Sequence, residues 1–170
     1  MRTATESFDL SCPPEGFWRV YLDPEYVRAL YLGALGYKAC EVLEVTDSSR
    51  KLRVVPKMNL PGPIEALLGD GFAYEDHGSL DRAKNEWTWR MVQPSQLDPR
   101  AKPRKDVVTT RGTIRVTATG EGRSRRTDEL VIEAKLFGVG GMIEAVAEKE
   151  TRAAWAKERA LLDTWLTRSR

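Results

Sequence analysis

A chain that holds a metal or attacks a bond through a nucleophile needs clustered ligands or a paired base. This sequence offers little of either. It contains one histidine, His77, and two cysteines, Cys12 and Cys40. His77 follows Glu75 and Asp76, but no further ligand stands at metal-binding spacing, so it reads as a surface histidine. Cys12 precedes two prolines, Cys40 falls inside a strand, and no Gly-x-Ser-x-Gly elbow or comparable nucleophile–base set occurs. Gly138-Val139-Gly140-Gly141 lacks the spacing of a dinucleotide fingerprint and reads as a tight turn or hinge from strand to helix. On these grounds no metal, cofactor or catalytic residue is assigned. General acid–base chemistry by Glu150, Glu6 or a tyrosine stays open.

The aromatic residues carry more. Trp87, Trp89 and Met91 alternate onto one strand face, and Phe72 and Tyr74 do the same on a neighbour. Together they make a broad, rigid apolar surface. Such a surface is either plain core or the wall of a pocket, because pockets are concave, mostly apolar and use few polar groups. Cavity volume separates the two. On a helical wheel, Val139, Ile143, Val146, Ala147, Ala154, Leu161 and Trp165 share one face of the C-terminal segment. Small residues stand at the middle of that face and bulky ones at its ends, which brings the helix very close to a sheet or leaves a hollow. Glu150 falls on the same face, about 20° from Ile143. A carboxylate there pairs with a sheet arginine, sits at a wet edge, or anchors a ligand inside a cavity.

The elements that position these residues follow from periodicity. Thr3 to Ser11 alternates as a strand, and Ser11-Cys12-Pro13-Pro14-Glu15 opens a short helix with Ser11 as its cap. Asp23-Pro24-Glu25 starts a second helix that ends near Gly36. Tyr37–Val45 and Leu52–Pro56 form a hairpin about the turn at Thr46, and Phe72–Asp76 pairs with Asn85–Val92. Between them Pro63 to Leu68 reads as a short apolar helix. Gln93 to Arg111 is a long loop. Thr113–Thr119 and Arg125–Phe137 flank a Gly-Glu-Gly turn, and Met142 to Leu166 is one helix of about seven turns. Helices segregated from an antiparallel meander make an α+β domain.

Composition agrees. With 170 residues, 41% hydrophobic and 31% charged, the chain can bury a real core as one domain over residues 1–170. A formal net charge of +2 gives no global field toward nucleic acid or membrane. Charge is uneven, however. Between Gln93 and Arg126 stand Arg100, Lys102, Arg104, Lys105, Arg111, Arg115, Arg123, Arg125 and Arg126, against three acids. This is solvated loop charge or a site of transient contact with an anionic membrane surface. Nucleic acid fits poorly, since aromatics do not interleave the basic residues. The chain has no signal-like apolar start and no span of membrane length, so a cytoplasmic protein with reduced thiols is expected.

The element order from Thr3 to Leu166 resembles the START-like (SRPBCC, helix-grip) superfamily. The segments Phe8-Asp9-Leu10-Ser11…Glu15-Gly16-Phe17-Trp18 with Tyr21-Leu22-Asp23-Pro24-Glu25-Tyr26, and Phe137-Gly138-Val139-Gly140-Gly141-Met142-Ile143-Glu144, are similar to an uncharacterised bacterial family within it. The resemblance implies a helix-grip fold, a curved antiparallel sheet of about six to seven strands with two short helices and a long C-terminal helix closing a cavity. It implies binding or transport of a lipid or other hydrophobic small molecule by a monomer or weak dimer. The residues expected to line the space are Phe72, Tyr74, Trp87, Trp89, Met91, Ile114, Val116, Leu130, Ile132, Met142, Ile143, Val146 and Glu150. The alternatives are a cyclase- or hydrolase-type enzyme using that cavity, and a ligand-free interaction module using the basic loop. Fold alone does not choose between them.

Overall fold

The computed structural model describes residues 1–57, 73–93 and 108–168. Seven strands form one antiparallel sheet: β1 (Arg2–Leu10), β2 (Ala39–Val45), β3 (Ser49–Val55), β4 (Tyr74–Asp81), β5 (Glu86–Val92), β6 (Val108–Gly120) and β7 (Arg123–Ala134). Their order across the sheet is β1-β7-β6-β5-β4-β3-β2. Thus β2 to β7 run as a meander, and β1 adds itself beside the last strand. Among the described residues the helices are α1 (Pro14–Tyr21), α2 (Pro24–Arg28), which runs on into a π-helical stretch over Ala29–Ala34, and α3 (Gly140–Arg168). This is the expected α+β helix-grip architecture. Among the described residues no helix is long and apolar enough to cross a membrane.

The inner face of the sheet follows strand alternation. On β5 it carries Trp87, Trp89 and Met91, opposite Leu80, Gly78 and Asp76 of β4. Trp87 lies flat over Gly78, where any Cβ would overlap its six-membered ring. Trp89 lies against Gly112 of β6 in the same way. Glycine at these two inner positions is what lets two indoles lie along the sheet instead of standing on it. The amphipathic α1 buries Phe17, Trp18, Val20 and Tyr21 against Phe8, Leu10, Trp87, Ile114, Val116, Leu162 and Leu166. Trp18 reaches the β4–β5 turn, donating from Nε1 to Asn85 Oδ1 at 3.2 Å.

Several boundaries depart from the periodicity, among them the cap of α1 and the start of β6. The cap of α1 is Pro13 in an extended conformation with no side-chain cap bond, not Ser11. The prolines fix the entry geometry without one. By contrast α2 is capped as expected, with Asp23 accepting from the Glu25 N–H at 2.7 Å. Strand β6 begins at Val108, inside the stretch read as loop, because Thr109, Thr110 and Arg111 pair with Glu133, Ile132 and Val131 of β7. The short helix expected over 63–68, Phe72, and the loop bases Arg100, Lys102, Arg104 and Lys105 lie outside the described residues.

Helix α3 crosses the inner face, but its buried line is not the one the wheel suggested. Ile143, Trp155, Glu158, Leu162 and Leu166 are buried, whereas Glu150 and Lys157 are exposed. The buried stripe is turned by roughly 80° from the expected centre. Met142, adjacent to Ile143, is thereby carried to the outer side and is 44% exposed.

Candidate functional site

Between the sheet and α3 lies a cavity of about 330 Å³. Its sheet wall includes Tyr74, Trp89, Met91, Val108, Ile114 and Ile132. The helix wall includes Ile143, Val146, Ala147, Ala154 and Trp155, and Leu30, Tyr31, Leu35 and Tyr37 close one side. The alanines at the centre of the helix leave the hollow, as small residues between bulky ones must when the neighbouring wall is rigid.

Two buried ionic clusters line this space. In the first, the Arg126 guanidinium of β7 donates from Nε and Nη2 to Asp128 at 2.8 and 2.7 Å. It also donates from Nη1 and Nη2 to Glu158 of α3 at 2.8 and 3.0 Å. Two bidentate pairs use four of its five N–H groups. Burial alone would lower the guanidinium's proton affinity, but the two carboxylates raise it well above the ordinary arginine value. It stays charged.

The second cluster is looser. Arg50 of β3 is 1% exposed. It donates from Nη1 to the Tyr21 carbonyl at 3.0 Å and from Nη2 to the Tyr21 hydroxyl at 3.2 Å. Its Nη2 stands 3.6 Å from Asp76 Oδ2, an ion pair too long for a good hydrogen bond. Asp76 Oδ2 also accepts from the Tyr31 hydroxyl at 3.2 Å. The Tyr21 ring lies between the clusters, 4.4 Å from the Arg50 guanidinium carbon and 5.7 Å from that of Arg126. Burial pushes the Tyr21 phenol up to about 12.

Burial also pushes the Asp76 carboxyl above the usual aspartate value of 3.8, against the opposing effects of Arg50, the Tyr31 hydroxyl and His77. The folded chain therefore keeps this proton at a pH where an unfolded chain has released it. The stability it contributes is complete below 3.8 and is lost as pH rises through the raised value. Asp76→Asn removes that dependence. Urea unfolding at about pH 4 and pH 7 should show the variant gaining on the parent at the higher pH. A gap independent of pH would mean that Asp76 titrates as an ordinary aspartate.

The sequence matches a protein family of unknown function, DUF2505, over residues 5–166. The chain is a DUF2505 protein. A comparison of this DUF2505 chain with curated proteins finds no match. Solved structures share its fold across nearly the whole chain. The ZhuI aromatase/cyclase from Streptomyces sp. R1128 is 17% identical, with 99% of this chain and 96% of that one covered and a TM-score of 0.63. Norcoclaurine synthase from Thalictrum flavum is 16% identical, with 99% and 88% covered and a TM-score of 0.65. A START superfamily protein from Mycobacterium smegmatis is 15% identical, with 99% of both covered and a TM-score of 0.57. The DUF2505 fold is START-like.

Of the residues expected to line a pocket, Tyr74, Trp89, Met91, Ile114, Ile132, Ile143, Val146 and Glu150 border the cavity. Trp87, Val116 and Leu130 are buried in the packed core beside it. Met142 is on the outside, and Phe72 lies outside the described residues. Glu150 takes the wet-edge position instead of a sheet pairing. Missed altogether were Arg50, Asp76, Arg126, Asp128 and Glu158. The parity that turns Leu130 and Ile132 inward turns Arg126 and Asp128 inward too, and the parity of Leu52 and Val54 does the same for Arg50. Arg126 thus leaves the basic tally of the 93–126 stretch. Arg115 and Arg125 are also engaged there, by Glu86 and Asp9.

Proposed function

We propose that this DUF2505 chain, as one START-like domain, binds a hydrophobic small molecule in the cavity between the sheet and α3. The observation that carries this reading is the cavity itself, about 330 Å³ walled largely by aromatic and aliphatic side chains. That volume lies at the lower end of the range for ligand pockets. A space at that end of the range suits a ring system or a single acyl chain better than a two-chain lipid. The fold neighbours support the reading, since the norcoclaurine synthase structure is a complex with dopamine and hydroxybenzaldehyde. Native mass spectrometry of freshly purified protein, followed by organic extraction, tests it. A stoichiometric apolar adduct is expected. A protein that emerges empty and takes up no fatty acid, phospholipid or polyketide-like aromatic from a panel overturns it.

A second reading, turnover of the bound molecule, rests on Asp76. A buried carboxyl with a raised proton affinity, beside a tyrosine hydroxyl and an arginine in a cavity, is a candidate for proton transfer. Two of the fold neighbours are named as enzymes, an aromatase/cyclase and a synthase. This reading requires that the extracted adduct be converted when returned to the protein, and that Asp76→Asn stop conversion while retaining binding.

A further inference from the structure

Among the described residues, the formal charges lining the cavity balance. Arg50, Lys57, Arg126 and Lys157 face Asp76, Asp128, Glu150 and Glu158. Among the described residues, therefore, no net formal charge draws an anion or a cation into the space. The better-placed cation, Arg126, is committed to its two carboxylates on four N–H groups and presents no fork to an incoming acid. An anionic ligand would have to displace Asp128 or Glu158, and both would then be buried without a cation.

The Arg50–Asp76 cluster differs. Among the described residues, Arg50 Nε and Asp76 Oδ1 are buried polar atoms without a hydrogen-bond partner. One is a donor and the other an acceptor, on neighbouring strands β3 and β4, and both side chains border the cavity. The tyrosines around them are engaged: Tyr31 donates to Asp76, Tyr21 accepts from Arg50, and Tyr37 and Tyr74 bond each other. Both open atoms are covered in this geometry. The terminal torsion of an aspartate is broad, so the carboxylate turns an oxygen into the space by exchanging its contacts with Tyr31 and Arg50 for contacts with the ligand. An unmet buried donor and acceptor are costly, and a group that meets both at once removes two penalties.

We infer that the ligand is a largely apolar ring molecule carrying an uncharged hydroxyl, which donates to Asp76 and accepts from Arg50, and not a free carboxylic acid. This rests on the reading that the cavity binds a ligand. Fatty acids and other carboxylates fall outside the preferred class, while phenols and alcohols on a ring fall within it. A site that hydrogen-bonds a hydroxyl discriminates strongly against the analogue lacking it.

The test uses three probes of one shape, 2-naphthol, 2-naphthoate and naphthalene, titrated into the wild-type chain by calorimetry at neutral pH. Naphthol is expected to bind at least tenfold tighter than either of the others. Asp76→Asn should reduce that preference about tenfold while naphthalene affinity holds, with circular dichroism confirming the fold. If naphthoate binds tightest, or naphthalene equals naphthol, the hydroxyl assignment is wrong and the cavity reading stands. If none of the three binds while the purified protein still carries an apolar adduct, this inference is overturned and the cavity reading stands; if no adduct is found either, both fall.

Discussion

Arg126→Met is expected to lower the stability of the fold by about 3–5 kcal/mol, the cost of leaving buried carboxylates without their cation. Arg126 is 1% exposed, Asp128 2% and Glu158 8%, so water cannot stand in for the lost guanidinium. With a urea dependence of about 2 kcal/mol per molar, the midpoint should fall by roughly 2 M. The loss concerns more than one charge pair, because Glu158 belongs to α3 and Arg126 to β7. The triad is a buried ionic tie between the helix and the sheet it covers, where the links of Arg2 to Glu148 and of Arg152 to Glu6 lie nearer the surface. Replacing Asp128 and Glu158 with Asn and Gln in the same chain should recover most of the stability, since the penalty lies in the orphaned charges and not in the absence of the pair. A single variant that unfolds at the parental midpoint would show that the triad is solvated.

The second large effect is on occupancy. Ala147 sits half-buried on the cavity wall between Ile143 and Ala154. Ala147→Trp projects an indole into a space of about 330 Å³ and fills much of it. Ligand uptake, read by native mass spectrometry of the purified variant, should drop by about a hundredfold. Stability should change by less than about 1 kcal/mol, because the new side chain enters open volume and does not force a packed core apart. Unchanged uptake with a retained fold would place the ligand elsewhere.

The strands were largely legible because one face of the sheet is apolar and the alternation is clean from Thr113 onward. The π-helical stretch at Ala29–Ala34 was not, since a widened turn leaves no separate periodicity in six residues. The ionic clusters were hidden for a different reason. A wheel or an alternation count scores Arg, Asp and Glu as outward residues, so Arg126 and Glu158 were counted as surface or skipped. Their burial depends on meeting each other across thirty-two positions of sequence. Nothing local records that meeting. The same blindness centred the helix on Glu150, where the apolar residues alone point, when Trp155 and Glu158 jointly set the stripe some way round.

The position of β1 bears on how the chain acquires its fold. Its nine residues pair with β7 from Arg2↔Ile132 to Leu10↔Ser124, so every rung of that ladder spans more than a hundred residues. Such distant pairings slow folding, because the ends of a long loop must meet before any contact rewards them. On the ribosome, β1 emerges before the other six strands and waits for β7, with both edges open to other chains meanwhile. Glu6 in the middle of β1 and Asp9 near its end keep that waiting strand charged and soluble. Of these seven strands, the one made first is completed only when β7 has followed it out.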